Sequence, residues 1–233
     1  MIILSKKRII KLMSLITICL MVCVIQTVKT DKETVQTVTL PVTNKVIVID
    51  AGHGVPDEGA ESSNGISEAK TNLNIALKLQ TLLEQSGATV ILTRSDENAI
   101  YDIDSKTLKE KKMSDLKNRV KIGNESSADL FVSIHLNKIP QQQYFGWQTF
   151  YKSSDENSTK LAKCIQSSLN ESIQKENNRT AMKLDTVYIM KKVEIPISIV
   201  ECGFLSNPEE EKKLLNDEYQ KKREKWRNKE QKR

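Results

Sequence analysis

The chain has 233 residues, 36 Lys and Arg against 30 Asp and Glu, 38% hydrophobic residues and 5% aromatic ones. That length suits one domain with attachments. Eight glycines and five prolines exclude a collagen-like or low-complexity chain, and four cysteines are too sparse for a disulfide scaffold. The net charge of +6 sits at the ends: residues 1–30 carry +5 and residues 212–233 carry +6, which leaves −5 between them. A nucleic-acid binder needs cations fixed along a folded surface, so the charge distribution argues against that class.

Lys6, Lys7, Arg8 and Lys11 precede residues 12–25, fourteen residues without a charge. A positive region before such a stretch reads as an export signal. Taken as 9–28 it approaches the ~20 residues that span a bilayer, so residues 1–28 are either a signal peptide or a membrane anchor. The segment 29–44 is polar and Thr-rich, a linker. The domain then runs over 45–220, and 221–233 form a basic, frayed tail.

Residues 45–50 (KVIVID) form a short β-branched apolar run, a strand buried on both faces. Residues 67–86 place Ala69, Leu73, Ala76, Leu79 and Leu83 at helical spacing, with Gly87 as a stop. Residues 88–93 read as the next strand, 95–112 as a polar excursion, 114–124 as a helix and 129–134 as a strand. Residues 146–151 alternate like a more exposed strand, and 154–175 form a second clear helix. Residues 187–190 and 195–200 read as strands, and 207–220 as a final helix. This order implies an α/β fold with a mostly parallel sheet flanked by helices. Such sheets bind ligands beyond the carboxyl ends of their strands.

The chain has two histidines, and each follows a strand: His53 in DAGHG and His135 after DLFVSI. In a parallel sheet both emerge at one edge. Glu68, at the start of the helix from 67, lies where the helix dipole favours a carboxylate. Two imidazoles and one carboxylate are the protein ligands of a catalytic zinc whose fourth position holds water. Gly52 and Gly54 let the backbone turn sharply around His53. Each residue alone has an ordinary explanation, as a surface histidine or a favourable charge at a helix start. Glu201 ends the apolar run IPISIV, where a buried carboxylate costs several kcal/mol unless paired or bound. It is placed either as a general base and acid beside an activated water or as the partner of a buried Arg119 or Arg179.

The segments VIVIDAGHG (46–54), GISEAKTNLNIALKL (65–79), VILTRSDE (90–97), NRVKIGNESSADLFVSIHLN (118–137) and PISIVECGFLSNPEE (196–210) occur in this order over about 165 residues. Together they resemble the zinc-dependent N-acetylmuramoyl-L-alanine amidases of the type-3 family, and most of all its spore-cortex, germination-specific (CwlD-type) members. The resemblance implies a single catalytic domain with a zinc-carboxypeptidase-like (phosphorylase/hydrolase-like) α/β fold. It implies one Zn2+ held by His53, Glu68 and His135, with Glu201 as catalytic acid and base. The implied substrate is the peptidoglycan glycopeptide, cut between muramic acid and L-alanine, in spore members on the way to muramic-δ-lactam.

Asn72, Ser133, Asn137 and Arg179 are candidates to orient ligands or contact the glycopeptide, and Tyr144 and Trp147 to stack on sugar. Cys202 should point away from Glu201 by strand alternation. After Tyr219 the chain lacks the amphipathic helix expected of the family, which opens a place for an accessory or activator protein. Two rival readings are a zinc peptidase acting on stem-peptide bonds and a non-catalytic peptidoglycan-binding module.

Overall fold

Among the described residues there are six strands: β1 (Val46–Ala51), β2 (Thr89–Leu92), β3 (Leu130–Asn137), β4 (Gln148–Tyr151), β5 (Met182–Lys183) and β6 (Ile197–Phe204), of which the short, exposed β5 has no apolar run behind it. The computed structural model describes residues 42–173 and 177–216. These belong to a compact unit, Leu40–Arg233. The expected signal or anchor (1–28), most of the linker and the basic tail lie outside the described residues. Among the described residues, no helix is long and apolar enough to cross a membrane.

The strands form one sheet in the order β2-β1-β3-β6-β4-β5. Strands β2, β1, β3 and β6 run parallel, and β4 lies antiparallel to β6. Among the described residues, four helices lie between strands, α1 (Glu68–Gln85), α2 (Leu108–Glu125), α3 (Glu156–Ser172) and α4 (Tyr188–Lys192), and a fifth, α5 (Pro208–Leu214), follows β6. Their starts are written in the sequence. The Ser67 side chain caps α1, and Asn207 caps α5 with Pro208 at its first position. Thr107 and Glu110 form a reciprocal capping box on α2.

Strand alternation divides the core in two. Ile47, Ile49, Ala51, Val132, Ile134, Leu136, Val200 and Cys202 pack with Leu73, Ala76 and Leu79 of α1 and Ile165 and Leu169 of α3. On the opposite face Val48, Phe131, Ile197 and Ile199 pack with Ile189 and Met190 of α4, and Val120 and Ile122 of α2 lie against them. Each such aliphatic side chain, fully buried, is worth on the order of 1.5–3 kcal/mol.

Several boundaries differ from the sequence reading. The expected strand 187–190 is instead helix α4; a short apolar run has no period of its own, and here two lysines close a helical turn after it. Helix α2 starts six residues before the expected 114, because the capping box outweighs the polarity of its first turns. Strand β4 is less exposed than expected: Trp147, just before it, is fully buried and its indole N–H donates to Asn170. The last helix ends at Leu214 within the described residues, which stop at 216. Strands β3 and β6 run past the expected ends, so His135 and Glu201 lie inside strands rather than beyond them.

Candidate metal centre

On the second face of the sheet, side chains change from apolar to polar along each parallel strand. Val48 is followed by Asp50, Phe131 by Ser133 and His135, and Ile197 by Ile199 and Glu201. His135 and Glu201 are direct partners in the β3–β6 register, and the register shifts between His135 and Asn137. The carboxyl edge of the sheet therefore carries the ionisable groups, while its amino end is hydrocarbon.

His53 reaches this edge on the turn that follows β1. Its own φ is 64°, in the left-handed region that a non-glycine residue seldom adopts. Its carbonyl accepts from Arg119 Nη2 at 2.5 Å, which holds the turn from below. Its Nδ1 lies 3.1 Å from Asp57 Oδ2, leaving Nε2 turned inward, 3.4 Å from Glu68 Oε1. Burial disfavours the charged ring, but Asp57 and Glu68 outweigh it and raise His53 to about 9.

Glu68 opens α1 and is buried. Its Oε1 sits 3.0 Å from His135 Nδ1 and accepts from Leu136 N at 3.1 Å, while Oε2 accepts from Ala60 N at 2.8 Å. Burial pushes this carboxyl upward, yet the two imidazoles more than compensate and hold it well below the usual carboxylate range. It is therefore ionised. One ligand atom from each of His53, Glu68 and His135 lies within 4.8 Å of the others.

The surroundings are moulded to these side chains. A Cβ on Gly52 would come within 2.3 Å of the His135 ring, and one on Gly59 within 2.7 Å of both Glu68 Oε2 and the His53 ring. Two imidazoles, one ionised carboxylate and an outer carboxylate placed to accept from His53 Nδ1 match the donor set of a catalytic zinc with an open position. The residues present fit the ion.

Glu201 stands beside this cluster in a cavity of about 280 Å³ shared with His53, His135, Leu184, Val187 and Ile199. Its Oε2 is buried and has no hydrogen-bond partner among the described residues. Desolvation raises its pKa to about 7, against the pull of His135. The arginines weighed as its partners are elsewhere: Arg119 binds Asp50 and Asp115, and the Arg179 guanidinium lies 4.9 Å from the Phe204 ring centroid.

Asn72 is fully buried, and its amide donates to Gly52 O at 3.2 Å and Glu68 Oε1 at 3.4 Å. Ser133 donates to Asp50 at 2.6 Å. Asn137 ends β3, where its carbonyl accepts from Leu205 N. Trp147 is out of reach of a sugar, whereas Tyr144 is half exposed, 6.5 Å from the Phe204 ring. Cys202 points into the α1–α3 core, away from Glu201. Asp57 was missed by sequence reasoning; a carboxylate four residues after a histidine in a turn was the available signal.

A family described as N-acetylmuramoyl-L-alanine amidase (Amidase_3) matches residues 47–226. The germination-specific N-acetylmuramoyl-L-alanine amidase of Bacillus subtilis (strain 168) is 38% identical over 181 residues, covering 78% of this chain and 76% of the relative. Among solved structures, the CwlD amidase of Clostridioides difficile, determined in complex with the GerS lipoprotein, shares 45% identity at a TM-score of 0.75 and covers 78% of this chain and 93% of its own. An N-acetylmuramoyl-L-alanine amidase of Clostridium difficile 630 shares 30% identity at a TM-score of 0.69, covering 79% and 92%. The chain belongs to the Amidase_3 family of N-acetylmuramoyl-L-alanine amidases, enzymes that act on peptidoglycan, and it resembles the CwlD-type members.

Proposed function

We propose that this amidase is a zinc hydrolase in which His53, Glu68 and His135 hold one ion and Glu201 is the acid and base for cleavage between N-acetylmuramic acid and L-alanine. The observation that carries this reading is the convergence of those three donors beside a buried carboxylate oxygen that has no partner among the described residues. When bound, the zinc supplies Lewis acidity, polarising the amide carbonyl and making water a nucleophile near neutral pH. Glu201 takes a proton from the attacking water while the water oxygen adds to the lactyl carbonyl carbon. It then delivers a proton to the departing nitrogen of L-alanine as the C–N bond breaks. Burial raises the Glu201 carboxyl above the ordinary range, the direction that suits a group which must both take and return a proton. Asp57 and Asn72 keep His53 and Glu68 in place while this happens.

The relatives and the N-terminal sequence support a reading of the biological setting. The similarity to a germination-specific enzyme supports action on spore cortex, where removal of the stem peptide prepares muramic acid for conversion to its δ-lactam. The basic, apolar N-terminus supports export across the cytoplasmic membrane, as a secreted or anchored protein of the wall or forespore intermembrane space. A relative solved with a lipoprotein supports an accessory protein of that kind for this chain.

Digestion of purified cortex and vegetative wall tests the reaction. The expected products are intact stem peptides with a free L-alanine amino terminus; new ends within the peptide would favour the peptidase reading. Glu68→Ala should lose both zinc and turnover, and undiminished zinc per folded chain in that variant would remove Glu68 from the ligand set.

A further inference from the structure

The segment VILTRSDE contributes a residue that the mechanism above does not use. Arg94 follows β2 and is buried at 4% exposure. A buried guanidinium ordinarily pairs with a carboxylate. Among the described residues, the hydrogen bonds of Arg94 instead go to main-chain carbonyls. Nε donates to Ala51 O at 2.8 Å, Nη1 to Asp96 O at 2.7 Å, and Nη2 to both Gly52 O at 3.1 Å and Ala69 O at 2.7 Å.

The identity of those carbonyls gives the arrangement its meaning. Gly52 immediately precedes His53, and Ala69 immediately follows Glu68. A single nitrogen thus joins the turn after β1 to the first turn of α1. Gly52 O also accepts from Asn72, whose amide reaches the Glu68 carboxylate, so the two ligand-bearing segments are tied through one carbonyl from two sides. We propose that Arg94 is a positioning residue of the metal centre, fixing the separation of His53 and Glu68 by bridging the backbones that carry them. The inference rests on the reading of His53, Glu68 and His135 as zinc ligands. A lysine cannot replace Arg94, since one ammonium lacks the diverging nitrogens that reach three segments at once.

The test is zinc affinity by chelator competition, together with the visible spectrum of the Co2+-loaded protein, in the full chain. Arg94→Lys should bind zinc about 10–100-fold more weakly, the range for loss of an outer-sphere support, and should shift the Co2+ bands. Leu169→Ala, a core truncation on the α3 side, controls for lost stability and should leave affinity and spectrum unchanged. Affinity in Arg94→Lys no weaker than in Leu169→Ala, with unshifted bands, would overturn the proposal. Should Arg94→Lys fail to fold, exchange of the Arg94 Nε proton in the unmutated protein decides the matter by NMR. Zinc must slow that exchange, because coupling between clamp and ion is reciprocal, and an unchanged rate overturns the proposal. A wild-type chain that binds no zinc would instead bring down the metal-centre reading on which the proposal rests.

Discussion

Two carboxylates occupy the same face of the sheet, Asp50 buried and Glu201 half-buried with one oxygen shielded from solvent, and they have opposite surroundings. Asp50 on β1 is fully provided for: Arg119 Nη1 at 2.6 Å and Thr93 at 2.7 Å share one oxygen, and Ser133 at 2.6 Å takes the other. Burial would raise its pKa, but Arg119, Ser133 and Thr93 hold it below the ordinary value. Glu201 on β6 has a buried oxygen with no partner among the described residues, and burial carries it to about 7. A satisfied buried carboxylate is a strut with a fixed charge. One left unsatisfied is unstable as an anion and ready to exchange a proton.

The contrast is sharpened by exchanging each acid for its amide. Glu201→Gln should lower turnover by about 10²–10⁴-fold, the usual worth of a general acid and base, with zinc content and thermal midpoint retained. Near-normal turnover in that variant would remove the distinction. Asp50→Asn should lower the unfolding free energy by about 3 kcal/mol, because it leaves the Arg119 charge buried with Asp115 alone. Its acid profile should change too. A depressed Asp50 stabilises the fold above its unfolded value of 3.8, and that stability is lost as pH falls through its lower folded value. Denaturant titrations between neutrality and low pH should therefore show a shallower acid slope in Asp50→Asn. Ser133→Ala should cost least, about 1.5 kcal/mol for one hydrogen bond to a charged group. A cost as large as that of Asp50→Asn would mean that Ser133, rather than Arg119, is the main support of the carboxylate.

Much of this site was legible in the sequence because its residues interrupt strong patterns. His53, His135 and Glu201 each follow an apolar β-branched run, and Glu68 opens a helix whose apolar spacing is regular over five positions. What escaped was fixed by tertiary geometry. Asp57 and Arg94 lie in polar loops where any charged residue is unremarkable; their partners are a left-handed turn at His53 and carbonyls from β1 and α1. Helix α4 escaped because Val187 and Ile189 favour strands locally, while their burial against Phe131 and Ile197 is decided by the fold. The long excursion after β2 hid the Thr107–Glu110 capping box, a local signal overshadowed by the surrounding charge.

The convergence of His53, Glu68 and His135 on one ion is the claim from which the mechanism follows. An anomalous difference map from crystals of the zinc-loaded protein, recorded at the zinc absorption edge, tests it most directly. The account predicts one peak within coordination distance, roughly 2.0–2.2 Å, of all three side chains and next to the Glu201 carboxylate. A zinc peak away from those residues, or one that touches only a single histidine, would contradict it.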